Sequence, residues 1–397
     1  MDELKVIFWF SFGIIFYTYI GYGIVLCLLV PIKRAFFKNN KSDSGNSELP
    51  EVTLLIPAYN EKDYVNKKLQ NTKDLKYPKD KLHVIWVTDG SDDGTNVYLQ
   101  KQKNISLYHE NERKGKINAL NRVMPFVKTP FVIFTDANTE LCENAILLIV
   151  EAFNDIKVGC VSGEKRIINK EIDQAAGTGE GLYWKYESFL KQLDSELYTA
   201  VGAVGELFAI RTELYREVEP DTILDDFIIS LRIAQQGFVI KYQPNAFAIE
   251  APSANVKEEL KRKIRISAGG IQSVIRLLPL LNIFKYGLLS FQYISHRVLR
   301  WTITPILLFA LIPISLGLAY LHGFSSFGFY NIFFWLQMIL YLVVILGWCI
   351  NDYRTRFKLV FVPYYFFIMN LSVVLGIIRF LNKNQTVNWE RSKRATT

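Results

Sequence analysis

Cysteine is scarce in this sequence, with four among 397 residues, and their spacing is not that of disulfide or metal ligands. Cys27 and Cys349 lie inside apolar runs, whereas Cys142 and Cys160 stand alone between those runs. This usage is typical of a reducing compartment. Basic patches interleaved with aromatic residues are also absent despite a net charge of +8, which argues against a nucleic-acid partner. The sequence contains no internal repeat and no low-complexity tract.

Charged residues are missing from four long runs, which are residues 6–32, 302–321, 323–351 and 359–378. Each run reaches the ~20 residues that cross a hydrocarbon core, and one charge at its centre would cost ~2.5–3.5 kcal/mol. Tyr, Trp and Phe crowd the ends of the runs, as expected at a membrane interface. The sequence therefore predicts four membrane spans. The alternatives are a cleaved signal peptide for the first run, which would need a shorter apolar core, and buried core helices for the others.

The basic residues predict which side of the membrane each segment occupies. Only Lys5 precedes the first span, whereas Lys33, Arg34, Lys38 and Lys41 follow it. The positive-inside rule then places the N-terminus outside and the following block in the cytoplasm. We therefore expect a multi-pass protein of the cell (inner, cytoplasmic) membrane. Four spans would put the basic C-terminal tail outside, and a re-entrant last segment would reverse this; both alternatives stay open.

Composition divides the chain into six segments. Residues 38–49 are polar, rich in Ser and Asn and without periodicity, as linkers are. Residues 256–300 mix basic and apolar side chains but are interrupted too often to span a membrane, which favours an interfacial position. Basic residues beside the spans also predict contacts with membrane lipids. We expect an N-terminal transmembrane helix (1–37), a linker (38–49), a cytoplasmic domain (50–255), amphipathic interfacial helices (256–300), three transmembrane segments (301–381) and a basic tail (382–397).

Strands and helices alternate in the cytoplasmic domain. Residues 52–57, 82–89 and 131–136 are short runs of β-branched and aromatic residues that end at polar turns, and residues 63–74 and 115–126 have helical spacing. This alternation predicts an α/β fold with a mostly parallel sheet. Ligands of such sheets bind beyond the carboxyl ends of the strands, and that is where acidic residues cluster in this sequence.

Two acidic clusters follow the second and third predicted strands. Asp89, within TDGSDDGT, stands beside glycines and can accept hydrogen bonds from a base or ribose, although Asp and Gly also dominate ordinary turns. Asp136 and Asn138 follow the next strand. Their oxygen atoms can hold a hard divalent cation such as Mg²⁺ or Mn²⁺ that bridges a diphosphate.

A third acidic cluster, Asp225 and Asp226, precedes a predicted helix. A second carboxylate alongside raises one pKa toward the working range of a general base. The same residues also suit the N-terminus of a helix, where the dipole favours acidic side chains. The two interpretations are compatible, and together the three clusters predict a nucleotide-handling site.

Seven motifs occur in an order that resembles the membrane-bound processive branch of glycosyltransferase family 2, which includes cellulose, hyaluronan and poly-N-acetylglucosamine synthases. They are PAYNE, TDGSDDGT, RKGKINALN, FTDANT, VGAVGELFAIR, LDDF and RKIRISAGG, and they lie within residues 51–301. The resemblance implies a glycosyltransferase-A fold, a Rossmann-like cytoplasmic domain carried by about four transmembrane helices. It also implies a nucleoside-diphosphate sugar donor, with uridine expected, a divalent metal, and inversion at the anomeric carbon.

The resemblance also assigns roles to individual residues. The uridine would be held by Ala58, Tyr59, Glu61 and Asp89. Donor diphosphate and metal would be held by Lys114 or Lys116, Asp136, Asn138, Arg262 and Arg265. Asp226, with Asp225 beside it, would deprotonate the acceptor, and Gly205 and Glu206 would line the acceptor side. Arg262 and Arg265 are three residues apart and would share the helix face toward the site, with Lys263 about 100° away.

The sequence departs from the family pattern in three places. Thr88 replaces the first acid of an Asp-Asp pair, and Asn138 replaces the second acid of the D-x-D motif. In the Q-x-x-R-W motif, Arg262 replaces the glutamine and Ile266 stands where the tryptophan is expected. The metal therefore has one fewer anionic ligand, and the chain lacks an aromatic ring there on which an acceptor sugar could stack.

The expected function is inverting transfer of a sugar from a nucleoside-diphosphate donor to a growing cell-surface polysaccharide at the cytoplasmic face. The alternative is transfer of a single sugar to a polyprenyl-phosphate or lipid-linked glycan. A transporter or receptor with a degenerate nucleotide-binding domain is a remote alternative, because no ionisable residue inside a span marks an ion path. Expected partners are the nucleotide-sugar donor, a glycan or lipid-linked acceptor and membrane lipids, and an export partner or a homo-oligomer is compatible with this architecture.

Overall fold

The computed structural model describes residues 2–36, 48–167, 180–251, 256–350 and 358–383. Most of the predicted linker (38–49) and of the predicted tail (382–397) therefore lies outside the described residues. The strands are β1 (Val52–Ala58), β2 (Leu82–Asp89), β3 (Ser106–Glu110), β4 (Phe131–Thr135), β5 (Glu140–Leu141), β6 (Val158–Ile167), β7 (Leu207–Arg211) and β8 (Val239–Glu250).

The helices number α1 to α15 over the described ranges. Before the catalytic domain come α1 (Asp2–Phe16) and α2 (Tyr22–Phe36), joined by a π-helical turn. Within the domain lie α3 (Lys62–Asp74), α4 (Thr95–Gln100), α5 (Lys116–Val123), α6 (Ala145–Ala152), α7 (Glu180–Leu197) and α8 (Asp225–Gln235). After it come α9 (Val256–Arg276), α10 (Ile283–Tyr286), α11 (Leu288–Tyr293), α12 (Leu299–Trp301), α13 (Ile303–His322), α14 (Phe329–Ile350) and α15 (Lys358–Leu381).

An eight-stranded sheet, in the order β3-β2-β1-β4-β7-β6-β8-β5, forms the centre of the catalytic domain. The three predicted strands are present as β1, β2 and β4, and β1 pairs in parallel with both of the others. The other half of the sheet is mixed, because β7 runs antiparallel to β4 and β6 while β6 and β8 are parallel. All seven residues of β1 are buried, as expected for a parallel strand covered on both faces.

Two hydrophobic cores cover the two faces of this sheet. Side chains alternate between the faces of a strand, so Leu55 packs with α5 and α8, whereas Leu54 and Ile56 pack with α3 and α6. The first core continues through Leu289 and Tyr293 of α11, so the segment after α9 is packed directly onto the catalytic domain.

Four helices are long and apolar enough to cross a membrane, at the positions that the sequence predicts. The first of them, Asp2–Phe36, runs unbroken for 35 residues. Its N-terminal half packs through Phe8 against Leu311 and Leu318 of α13, and its C-terminal half packs through Leu26 against Leu190 of α7. The first helix therefore contacts both the other spans and the catalytic domain.

The predicted amphipathic segment contains the 21-residue helix α9. This helix packs against the catalytic domain, Trp301 and the last span. A Cβ on Gly269 would lie 2.7 Å from Ile223 of the catalytic domain, and one on Gly270 would lie 2.6 Å from the Trp301 indole. From the other side, a Cβ on Gly376 of α15 would lie 2.6 Å from the Ser267 Cβ. Helix α9 therefore joins the catalytic domain to the last span.

Candidate active site

A shallow recess lies beyond the carboxyl ends of β1 and β2, where the sequence predicts nucleotide binding. The guanidinium of Arg113 stacks 3.7 Å from the centroid of the Tyr59 ring. Gly90 allows Arg113 to lie close to the backbone at the end of β2, because the φ of Gly90 is +68° and a Cβ there would lie 2.8 Å from the Arg113 Cβ. The residues that line the recess are Pro57, Ala58, Tyr59, Val87, Asp89, Arg113, Gly115, Lys116 and Ala119.

Asp89 lies in this recess and also fixes the turn before α5. Its carboxylate accepts hydrogen bonds from the backbone N–H of Lys114 at 3.1 Å and of Gly115 at 2.6 Å. Glu61 is buried behind the recess, where its backbone N–H donates to Thr95 Oγ1 at 3.0 Å. Ala58, Tyr59 and Asp89 are therefore together at the predicted place, and Glu61 is not among the described residues that line it.

Lys116 connects the recess to the acidic clusters. Its Nζ lies 3.0 Å from Asp136 Oδ1 and 3.4 Å from Asp225 Oδ2, so the second and third clusters meet on one ammonium group. Burial opposes the charge of Lys116, but the carboxylates of Asp136, Asp225 and Asp226 outweigh it and raise the pKa of this lysine above its usual value. The side chain of Lys114 instead pairs with Glu112 at the surface. Of the two lysines, the structure therefore brings Lys116 to the acidic residues.

Asp226 combines burial with a like-charged neighbour. Burial and, next, the charge of Asp225 raise the pKa of Asp226 to about 7. A carboxylate with this pKa is a base suited to neutral pH. Asp225 and Asp226 also occupy the first turn of α8, as the helix-terminus interpretation expects, and the role of Asp226 as a general base stays a prediction. A Cβ on Gly205 would lie 3.2 Å from Asp226 Oδ2, which places the predicted acceptor-side loop against the Asp226 carboxylate.

Glu206 belongs to a buried group that the sequence does not predict. The ammonium of Lys165 bonds to the carboxylates of Glu206 and Glu250. Burial opposes ionisation of Glu206, but Lys165 outweighs it and lowers the pKa of Glu206 to about 2. Asn138 Nδ2 donates to Glu250 Oε1 at 3.3 Å, so the predicted metal-binding asparagine is held by the same group.

Asp136 and Asn138 offer two oxygen ligands to a cation. Burial raises the pKa of Asp136 above its usual range, although Lys116 acts in the opposite direction. The amide nitrogen of Asn138 is bonded to Glu250, which leaves its carbonyl oxygen as the ligand atom. Within the described ranges, no three His, Cys, Asp or Glu side chains form a metal cluster. These residues fit a Mg²⁺-like ion that takes its other ligands from diphosphate and water, and they do not form an all-protein cage.

A cavity of about 530 Å³ extends from Asp136 and Asp226 to the membrane helices. It lies between the catalytic domain, helix α9 and the last span. The residues that line it include Lys165, Glu187, Lys191, Gly205, Glu206, Phe227, Arg262, Lys263, Ile266, Arg297, Arg300, Trp301, Phe366, Met369 and Asn370, with Tyr19 of the first helix.

Helix α9 presents a different face to this cavity from the one expected. Arg262 and Lys263 line the cavity, and both pair with Glu259, at 3.1 and 3.6 Å. Arg265 is half-buried and is not among the described residues that line the cavity. Lys263 thus lines the cavity beside Arg262, since Glu259 pairs with both of the cations that lie three and four residues after it, and the contact of Arg265 with diphosphate or acceptor stays a prediction.

An aromatic ring does lie near position 266. Ile266 lines the cavity, as does Trp301, whose indole rests on Gly270 one helical turn farther along α9. The Trp301 ring also meets the edge of Phe227, with centroids 4.9 Å apart. A different element thus supplies the ring that is absent from position 266.

Comparison with known proteins identifies this domain. Residues 53–219 match the family model described as "Glycosyl transferase family 2". The chain carries a glycosyltransferase family 2 domain. A poly-beta-1,6-N-acetyl-D-glucosamine synthase of Staphylococcus aureus (strain MSSA476) is 29% identical over 249 residues, which cover 60% of this chain and 59% of the relative. The Staphylococcus epidermidis protein of the same name is 23% identical over 280 residues, which cover 68% of this chain and 66% of that relative.

The matches differ in how much of each protein they cover. The chain spans about 59% of the length of the first of these curated relatives. A solved structure, the mannosyltransferase PcManGT from Pyrobaculum calidifontis, superposes with a TM-score of 0.70 at 20% identity and covers 96% of this chain and 99% of its own. The glycosyltransferase-A fold and the family expected from the sequence are therefore confirmed.

Proposed function

We propose that this glycosyltransferase transfers a sugar, with inversion, from a uridine-diphosphate donor to a growing cell-surface polysaccharide at the cytoplasmic face of the membrane. One observation supports this most directly. Lys116 lines the strand-end recess and contacts Asp136, which lines the cavity that also contains Asp226. A nucleotide in the recess would thus direct its diphosphate to Lys116 and its sugar toward the base.

The chemistry follows from these positions. A divalent cation held by Asp136 and Asn138 would neutralise charge on the departing diphosphate. Lys116 supplies a second positive charge on the same side. Asp226 accepts the proton of an acceptor hydroxyl while the oxygen of that hydroxyl bonds to the anomeric carbon and the bond from this carbon to the diphosphate breaks. Base catalysis of this kind contributes roughly 10²–10⁴ in rate, and a single displacement inverts the carbon.

The similar proteins support parts of this proposal. The curated relatives are named as synthases of poly-beta-1,6-N-acetyl-D-glucosamine, which favours polymer formation. The mannosyltransferase structure contains GDP-Man and Mn²⁺, which favours a nucleoside-diphosphate sugar and a divalent metal, either Mg²⁺ or Mn²⁺. The basic residues Lys33 and Arg34, directly after the first span, favour the cytoplasmic orientation.

A second candidate is transfer of one sugar to a lipid-linked acceptor. It is favoured by the wall of the cavity, which includes Phe366, Met369 and Val373 of the last candidate span. An acceptor that remains in the membrane could reach Asp226 along this wall.

Donor turnover tests the proposal. Purified protein is offered a panel of uridine-diphosphate sugars and GDP-mannose, and nucleotide release and product mass are measured, with Asp226→Asn as the inactive control. We expect turnover of a uridine-diphosphate sugar and a ladder of product lengths. A product with one added sugar would establish the second candidate, and turnover of GDP-mannose alone would refute the uridine assignment.

A further inference from the structure

Lys68 is a buried lysine that the proposed chemistry does not use. It lies on α3, which packs against one face of the sheet, and has 1% of its surface exposed. Its ammonium donates to Thr135 Oγ1 at 2.9 Å, to the carbonyl oxygen of Thr139 at 2.8 Å and to Thr139 Oγ1 at 3.3 Å. These two threonines bracket the metal-binding turn, residues 135–139, which carries Asp136 and Asn138. Lys68 therefore holds both ends of this turn.

The two threonine hydroxyls continue the chain of hydrogen bonds toward the site. Thr135 Oγ1 donates to the carbonyl oxygen of Glu206 at 3.0 Å, and Thr139 Oγ1 donates to that of Asp136 at 2.9 Å. Because a hydroxyl has one proton, both oxygens can only accept on the side that faces Lys68. A group that donates several hydrogen bonds and accepts none, as an ammonium does, fits this position.

Glu206 extends the chain to the acceptor side. Thr135 pairs with Leu207 where β4 meets β7, and Glu206 directly precedes that pair. Gly205, the next residue back along this acceptor-side loop, lies against the Asp226 carboxylate. Both the metal-binding turn and the acceptor-side loop contribute residues to the wall of the cavity of about 530 Å³. One ammonium group thus connects the two parts of the site.

The burial of Lys68 is costly, which argues against a role in packing alone. Burial lowers the pKa of Lys68 to about 7, although the carboxylates of Asp136 and Glu140 oppose this change. Well-packed apolar side chains in place of buried charges are often neutral or stabilising. Asn71, about one helical turn later on α3, instead exchanges two uncharged hydrogen bonds with the backbone of Leu141, both at 2.8 Å. Asn71 therefore offers a structural comparison on the same helix.

We propose that Lys68 is a positioning residue for sugar transfer, which holds the metal-binding turn and the acceptor-side loop in their working arrangement. Lys68 is not among the described residues that line the recess or the cavity, so it acts through Thr135 and Thr139. Its effect on turnover rests on the proposed function, whereas its effect on the metal-binding turn can be measured without turnover.

The loss of the ammonium has a defined structural consequence. The hydroxyl oxygens of Thr135 and Thr139 are 3.1 Å apart, so without Lys68 one hydroxyl can donate to the other. The carbonyl oxygen of Glu206 or of Asp136 then loses its donor, and the loop or the turn is released.

Metal binding and turnover are measured separately. The full-length protein in nanodiscs is titrated with Mn²⁺ in the presence of uridine diphosphate or guanosine diphosphate, bound Mn²⁺ is followed by electron paramagnetic resonance, and thermal stability is recorded. Turnover of the nucleotide sugar at saturating Mn²⁺ gives kcat and the donor KM. We expect Lys68→Met to weaken Mn²⁺ binding about fivefold or more and to lower kcat about tenfold or more, with little change in donor KM, because small misplacements of reacting groups cost rate.

Matched variants separate positioning from stability. Thr135→Val keeps the shape of the side chain but removes the hydroxyl between Lys68 and Glu206, so it should lower kcat, and Thr135→Ser should retain it. Because Lys68→Met and Thr135→Val break the same chain, the double variant should lose less than the two separate losses combined. Asn71→Ala should lower thermal stability at least as much as Lys68→Met does, with kcat and Mn²⁺ affinity near those of the wild type.

Three results would overturn the inference. Wild-type kcat and Mn²⁺ affinity in Lys68→Met would remove Lys68 from the site, and wild-type kcat in Thr135→Val would do so if Lys68→Met does not fold. Equal losses of kcat and Mn²⁺ affinity in Lys68→Met and Asn71→Ala would make Lys68 a structural residue. Wild-type protein that binds no Mn²⁺ with either nucleotide would show that the turn holds no metal. Mn²⁺ binding that depends on Lys68, in a protein that turns over no uridine-diphosphate sugar, would instead refute the proposed function alone.

Discussion

The ionisation of Asp226 gives a quantitative test of the mechanism. A general base must be ionised, and burial together with Asp225 holds the pKa of Asp226 at about 7. We therefore expect kcat/KM to be constant above neutral pH and to fall about tenfold for each pH unit below the pKa of Asp226. An ordinary aspartate would place this decline about three units lower, near pH 4.

Two substitutions separate the base from its neighbour. Asp226→Asn keeps the size of the side chain but removes the proton acceptor, so we expect a loss of roughly 10²–10⁴ in kcat and no acidic decline of the remaining rate. Asp225→Asn removes the negative charge that raises the pKa of Asp226, so the decline should move to lower pH. It also removes one of the two carboxylates beside Lys116, so the rate on the plateau should fall as well.

The assay is nucleotide release between about pH 5 and about pH 9 at saturating metal, which covers both sides of the expected pKa. Calorimetric titration of uridine diphosphate, at one pH, checks that donor binding survives each substitution. Near-wild-type turnover by Asp226→Asn would remove this residue from the chemistry. A decline that stays in place or moves to higher pH in Asp225→Asn would refute the electrostatic explanation.

Asp136→Ala should abolish metal-stimulated turnover and weaken uridine-diphosphate binding in Mg²⁺ or Mn²⁺; full activity after chelator treatment would contradict the metal assignment. Gly205→Ala should lower kcat about tenfold or more with little change in donor KM, because its methyl group would press on the Asp226 carboxylate at 3.2 Å, and kinetics with varied donor will show this. Trp301→Ala should shorten products and Ile266→Trp should restore their length in that background, as read by mass spectrometry; unchanged products in Trp301→Ala would exclude sugar stacking there.

The parts of the fold that the sequence predicts are those with local signals. Strands β1, β2 and β4 are short apolar runs that end at polar turns, and the four apolar helices are long enough to recognise by composition. Strand β8 was not predicted, because Pro244 interrupts it and a proline normally argues against a strand interior. A register shift in the pairing of β8 with β6, between Ser162 and Glu164, accompanies this interruption.

The candidate active-site residues likewise fall into those that the local sequence identifies and those that it does not. Asp89, Asp136 and Asp226 are predictable because each lies at the end of a strand, directly after one or in the first turn of a helix. Lys165 has no local signal, since its partner Glu250 lies 85 residues away on another strand.

Lys263 was misplaced for a different reason. Helical spacing distinguishes Lys263 from Arg262 only if one face of α9 is buried and the opposite face is free. The close approaches of Gly269, Gly270 and Gly376 show that α9 is packed on several sides. Adjacent residues such as Arg262 and Lys263 can then both be buried, and spacing alone does not distinguish them.

The first candidate span is longer than a hydrocarbon core requires. Its 35 residues extend about 52 Å at 1.5 Å per residue, whereas a hydrocarbon core is ~30 Å thick. The projecting end is anchored, because Lys33 Nζ donates to the carbonyl oxygens of Glu196 at 3.0 Å and Leu197 at 2.9 Å, where α7 ends. Inserting a single residue into this helix would turn Lys33 by about 100° and shift it by about 1.5 Å. The length of the first helix therefore fixes how far its membrane-spanning residues lie from the end of α7.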